Sequence, residues 1–471
     1  MKITFLTCFY FIVFSYYSYS QKIETKNIKH QLKDFSIFKD AILSNSAGLY
    51  YYNTIEEFNS RLDSLENEFK TPKNEFETYA LYAKCVASIR CGHSVIFSKK
   101  IISKYNNSNV RLPFQIYYIN NKLFTFTDFK DSSVHIPKFT EIVLFNNEKP
   151  KDISSKLSKY ISTDGFNQTH KNERLKRQFF YYNYCFNNQP NIYNLKYLNE
   201  NKDTLSITLK PSIPKKTANS SKKSIPPLPK KNIAFTFDSV NNISTLTLPY
   251  PLPQSLKYKK QLKNYFLELS KKSITNLVVD LRNNGGGYSQ DYIAGFLCDS
   301  SYTYESVTYK GTKRPNRYYK KPLNSQRITV FIHKISSRNI NKRTKAEYTK
   351  PQKNCFHGKI FVLTNGFTFS AASNLTSNLK QYSGAIVVGE ETGGSYRKCS
   401  SGSLLLELPY SKINITINPI KFVNSVFVSD HKGGVLPKFE VKPSDRLGEK
   451  EDPQLQFIFD LIQKTKAAPI K

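Results

Sequence analysis

Tryptophan is absent from the chain, methionine occurs once, and acidic residues number only 36 against 70 lysines and arginines. The shortage of acids leaves a formal charge of +34 at pH 7. Such a balance raises nucleic acid, anionic polymers and membrane surfaces as partners. The basic residues are scattered, however, with a local run in KPSIPKKTANSSKKSIPPLPKK. No nucleic-acid reader motif accompanies them, so a solvated basic surface is the expectation rather than a specific nucleic-acid site. No Cys-x-x-Cys pair occurs, which argues against a zinc ribbon or a thioredoxin motif. No two histidines stand three or four residues apart, so a helical two-histidine metal site has no support. Neither a metal nor an organic cofactor is expected. After the first twenty residues no run is apolar and long enough to cross a bilayer.

Those first twenty residues, MKITFLTCFYFIVFSYYSYS, carry Lys2, an apolar stretch to about Phe14 and small residues at Ser18 and Ser20. That is the pattern of a secretory signal peptide, with cleavage before Gln21 and an exported, periplasmic or extracellular product. Residues 21–107 read as a helical region, because FSIFKDAILSNSAGLY, EEFNSRLDSLENEFK and NEFETYALYAKCVASI repeat apolar residues at three and four spacing. From 108 to 211 the chain turns β-rich: NVRLPFQIYYINNKLFTFTDF alternates, with a turn at Asn120–Asn121. Residues 212–232 form a basic, proline-rich linker. From 233 to 471, strands and helices alternate. NLVVDL, KIFVLTN and AIVVG are short and almost wholly apolar, as buried parallel strands are. The repetition argues for an α/β core, with a basic insertion from about 301 to 354.

Two strand ends carry chemistry. NLVVDL runs into Gly285, Gly286 and Gly287, where backbone amides can approach a ligand closely. KIFVLTN runs into GFTFSAASN, which places Ser370 at the start of a helix. A serine there is an N-cap in the simplest reading. Beside a glycine-rich turn it is also a nucleophile with amides for an oxyanion. Such a serine needs a base, and His93, His333, His357 and His431 are all available.

The segments VVDLRNNGGG, VLTNGFTFSAAS and AIVVGEETGG, in that order and spacing, resemble the S41 family of serine peptidases, the tail-specific or carboxyl-terminal processing type. SIRCGHSV resembles the Gly-His-Thr element of the family's histidine-using branch, which is similar to the core protease of the tricorn type. The resemblance implies layered strands and helices of the crotonase/ClpP type, preceded by a helical region and a degenerate PDZ-like module. It implies a polypeptide substrate, Ser370 as nucleophile, His93 as base, and the amides of Gly286, Gly287 and Ala371 as oxyanion donors. Asp430 is expected to orient the base. Ser373 stands where the family has Glu, and Ser395 where the processing branch has its Lys; Lys398 does not match that position. The alternatives are a peptide-binding protein of the same fold without catalysis, and a surface protein that holds anionic polymers. Oligomeric state has no signature in the sequence.

Overall fold

The computed structural model describes residues 27–107, 111–131, 133–187, 192–212, 233–248, 255–287, 290–309, 318–319, 344–402, 404–427, 429–443 and 452–467. The expected signal peptide and nearly all of the linker lie outside these residues.

The centre is a six-stranded sheet whose spatial order follows the chain: β1 (Ala234–Asp238), β2 (Ile243–Thr247), β3 (Asn276–Asp280), β4 (Lys359–Thr364), β5 (Ile386–Gly389) and β6 (Phe439–Glu440). β1 and β2 form an antiparallel hairpin, and every pairing from β2 to β6 is parallel. Side chains of a strand alternate between faces. Leu277, Val279, Ile360 and Val362 therefore join one apolar cluster, with helices α1 (Leu256–Lys271) and α2 (Ala371–Tyr382). Val278, Phe361 and Leu363 join another, under α3 (Pro453–Ala467). The result is three layers, helix on sheet on helix. α1 starts where it does because Ser255 caps it, its hydroxyl accepting from the Tyr258 amide at 3.2 Å.

The expected basic insertion contributes strands Tyr302–Tyr309 and Thr344–Thr349, antiparallel to each other. They extend a second sheet through Ile420–Asn424 and Lys398–Ser401. Residues 116–209 hold a five-stranded antiparallel sheet, with helix Thr169–Phe186 packed on it. Its first hairpin turns at Asn120 and Asn121, both at positive φ (50° and 65°), which asparagine tolerates better than most residues.

The N-terminal helices do not stand alone. Their core shares Leu404, Leu406, Leu408, Ile413, Ile415 and Ile417 with the far end of the chain. Strand Ile96–Ser98 pairs with Ile413–Ile417. That pairing brings the loop before it, which carries His93, to the α/β core. Among the described residues no helix is long and apolar enough to cross a membrane.

Candidate active site

β3 and β4 are parallel neighbours, so their carboxyl ends open on the same edge of the sheet. The two turns that follow are stitched together. Thr368 Oγ1 donates to the Leu281 carbonyl (2.9 Å), the Phe369 amide to the Asn284 carbonyl (2.9 Å), and the Asn283 amide to Asn365 Oδ1 (3.0 Å). At the end of this turn Ser370 stands immediately before α2 with φ 53° and ψ −125°. A non-glycine residue held there is strained, and the surroundings must impose it. The Ser370 side chain makes no capping bond to α2. Its Oγ lies instead 3.1 Å from His93 Nε2, across 277 positions of sequence.

His93 sits in the loop after helix Glu75–Ser88. Thr416 Oγ1 donates to the His93 carbonyl (2.7 Å) and accepts from the Val95 amide (2.6 Å), which fixes the loop on both sides. The imidazole packs against Phe369, ring centroids 4.9 Å apart. With Nε2 on the serine, Nδ1 is buried and has no hydrogen-bond partner among the described residues. The Cys91 thiol, the His93 ring and the Asp164 carboxylate gather behind it, with donor atoms within 4.8 Å of one another. Asp164 is buried and accepts from two amides, Gly92 (2.7 Å) and Ser395 (3.0 Å). Burial raises its carboxyl above the ordinary value, opposed by the charge of His93 and by those two amides. Burial alone would depress His93; the nearby Cys91 and Asp164 outweigh it and raise the imidazole above 6.5.

The structure does not join Asp430 to the base. Asp430 is exposed in the loop before His431, and no hydrogen bond or ion pair links it to His93 among the described residues. The carboxylate beside the imidazole is Asp164. Sequence offered no signal for it, since an aspartate before a glycine in STDGFNQ reads as an ordinary turn. Gly286 also departs from expectation. Its amide is already engaged, donating to Asn284 Oδ1 at 2.9 Å. Its Cα instead packs against Ser370, at φ 94°. Gly287 follows at φ 131°, exposed. The Ala371 amide has no acceptor among the described residues.

The positions where family residues are replaced have other tasks. Ser395 gives its amide to Asp164, while its hydroxyl lies 3.2 Å from Tyr52 Oη and accepts from the Lys398 amide (3.0 Å). Lys398 itself points its ammonium at the Tyr51 ring, 5.9 Å from the centroid. Ser373 is buried and donates to the Thr368 carbonyl (2.8 Å), bracing the nucleophile turn. Arg282 pairs with Asp280 and Asp452 (2.7 and 2.6 Å), a structural tie between β3 and α3. A buried and a half-buried titratable group lie further out. His170 also stacks on Phe369, at 4.8 Å, and burial pushes it down to about 3, so it stays neutral. Glu390, just after β5, is pushed up to about 7 by burial and by the charge of Glu173.

A strained serine at a helix N-terminus, in hydrogen-bond reach of an imidazole backed by a carboxylate, can perform acyl transfer. Residues 242–441 match the family model described as peptidase family S41. No curated protein matches in sequence. Among solved structures, mature CPAF superposes with a TM-score of 0.62 at 12% identity, over 93% of this chain and 97% of its own. Mature CPAF complexed with lactacystin does so with the same score and identity, over 93% and 98%. The photosystem II D1 C-terminal processing protease covers 92% of this chain and 97% of its own at 12% identity, with a TM-score of 0.43. At such identities the likeness to CPAF is one of fold.

Proposed function

We propose that this chain, whose residues 242–441 match the peptidase family S41 model, is a serine-type peptidase that cuts polypeptides through an acyl-enzyme on Ser370. Ser370 Oγ attacks the scissile carbonyl while His93 Nε2 accepts its proton. The carbonyl oxygen becomes an oxyanion beside the Ala371 amide at the N-terminus of α2, where the helix dipole favours negative charge. The Gly287 amide is the second donor in this reading. Collapse of the tetrahedral species breaks the C–N bond, and Nε2 returns the proton to the departing amine. Water then enters by the same route and releases the acyl group. Asp164 stabilises the imidazolium formed in both halves and holds the ring in register through the Gly92 amide. Tyr52 and Ser395 support Asp164 from behind.

One observation carries this reading: the 3.1 Å contact between Ser370 and His93, made by residues 277 positions apart in the chain. The five-stranded sheet of residues 116–209 is our candidate for a PDZ-like element that engages the substrate strand. The three-layer core supports a crotonase/ClpP-type arrangement. We read residues 1–20 as a leader of an exported protein, which a mature N-terminus at Gln21 would bear out. The test of catalysis is covalent. A fluorophosphonate probe should label the wild-type protein at Ser370 and leave Ser370→Ala and His93→Ala unlabelled. A folded wild-type protein that takes no label and cleaves no unfolded protein substrate would leave only a peptide-binding role.

A further inference from the structure

Behind the catalytic imidazole lies a thiol that the reaction does not use. Cys91 is buried, two residues before His93. Its sulfur is 3.1 Å from Ser400 Oγ. A thiol, an imidazole nitrogen and a carboxylate oxygen all stand within 4.8 Å of one another here. Tetrahedral zinc bonds of about 2.0–2.3 Å place such donors roughly 3.3–3.7 Å apart. Donors at the outer limit of their present spacing must therefore draw together by about 1 Å to close the set. An independent feature points into the same space: His93 Nδ1 is buried without a hydrogen-bond partner among the described residues.

We infer that Cys91, His93 Nδ1 and Asp164 form an inhibitory site for a divalent zinc ion, directly behind the catalytic base. The inference rests on His93 being that base. The proton balance explains the inhibition. The ion takes the Cys91 thiolate, and the thiol proton leaves to solvent. It takes the lone pair of Nδ1, so the hydrogen of the neutral ring must sit on Nε2. Nε2–H then donates to Ser370 Oγ instead of accepting from it, and the serine keeps its proton. Asp164 contributes an oxygen as third ligand, and water fills the fourth position. The enzyme is switched off by tautomer, with Ser370 intact and the substrate cleft open. Inhibition is therefore not relieved by substrate, and a chelator restores the rate.

Metal binding has a readout separate from turnover. Cobalt(II) added to the reduced Ser370→Ala protein should give a thiolate-to-metal charge-transfer band in the near ultraviolet, with one equivalent bound. Cys91→Ala should lose the band. Its sensitivity to zinc, measured against its own metal-free rate, should fall by more than the ~10- to 100-fold typical of losing an outer-shell partner. Cys355→Ser is the control, because Cys355, His357 and Asp299 form the other group of metal-binding residue types among the described residues. That variant should keep both the band and the inhibition. A band lost in Cys355→Ser but kept in Cys91→Ala overturns the proposal, as does zinc-insensitive cleavage by the wild type. If Cys91→Ala does not fold, Cys91→Ser, which also lacks the thiolate, supplies the same comparison. If no peptidase activity exists at all, the cobalt band still reports on the site, so failure of the enzymatic reading is told apart from failure of this one.

Discussion

Replacing Gly286 with alanine puts a methyl group where the backbone leaves no room. A Cβ there would stand 2.7 Å from the Ala371 nitrogen, 2.7 Å from the Phe369 oxygen and 2.9 Å from Ser370 Cβ. Two of these are main-chain atoms and the third belongs to the nucleophile, so no rotamer relieves the clash. Two costs then need separating. The positive φ alone costs an L-residue about 1–2 kcal/mol. Gly384 isolates that cost, since it has φ 61° and a Cβ there meets nothing within 4 Å. Gly384→Ala should therefore lose ~1–2 kcal/mol of stability and leave the serine as reactive as before. Gly286→Ala adds overpacking of about 1–3 kcal/mol and pushes Ser370 away from His93. A shift approaching 1 Å at a reacting group costs on the order of 10²-fold in rate. The assay is paired: denaturant unfolding and the rate of fluorophosphonate labelling, on both variants. If Gly286→Ala is labelled within about twofold of the wild-type rate, the tight contact between that glycine and Ser370 does not position the nucleophile, and the ~10²-fold expectation fails.

Three other outcomes follow from the site. Asp164→Asn should cut turnover by ~10²- to 10⁴-fold, because an amide stabilises an imidazolium poorly, whereas Asp430→Asn should stay within about twofold; equal losses in peptide cleavage would remove Asp164 from its role. Activity needs neutral His93, whose pKa is raised above 6.5, so kcat/KM should fall as pH drops through a value above 6.5; a pH profile with its acid limb below 6 contradicts the arrangement. Glu390 is held protonated to about 7 in the fold against an ordinary 4.5. The unfolded chain releases that proton first, so stability is fully present below 4.5 and declines as pH rises to about 7, by ~3 kcal/mol at most. Glu390→Gln should recover much of that loss at pH 8 in denaturant titrations and change little at pH 4.

The core was legible because its periodicities are local. NLVVD and KIFVLT read as buried parallel strands, and their alternating side chains do feed helices on both faces. The glycine turn and Ser370 could be read as a pair because each follows directly from such a strand. Asp164 could not, since its partners Gly92 and Ser395 lie 72 and 231 positions away and neither contact leaves a pattern in sequence. The same distance hid the union of the N-terminal helices with residues 404–417 in one core. The orientation of the Gly286 amide was also beyond reach: it depends on the Asn284 side chain turning back two residues, which is a matter of rotamer.

The hold of Thr416 on both sides of the His93 loop sets an order of events during synthesis. His93 leaves the ribosome early, but its loop lacks the clamp of Thr416 until the strand Ile413–Ile417 has emerged and paired with Ile96–Ser98. Ser370 is made before that strand, and Ser395, which grips Asp164, lies between them. The parts of the catalytic centre thus exist for most of translation without meeting. The serine–histidine pair therefore gains its full support only once residues 413–417 are in place.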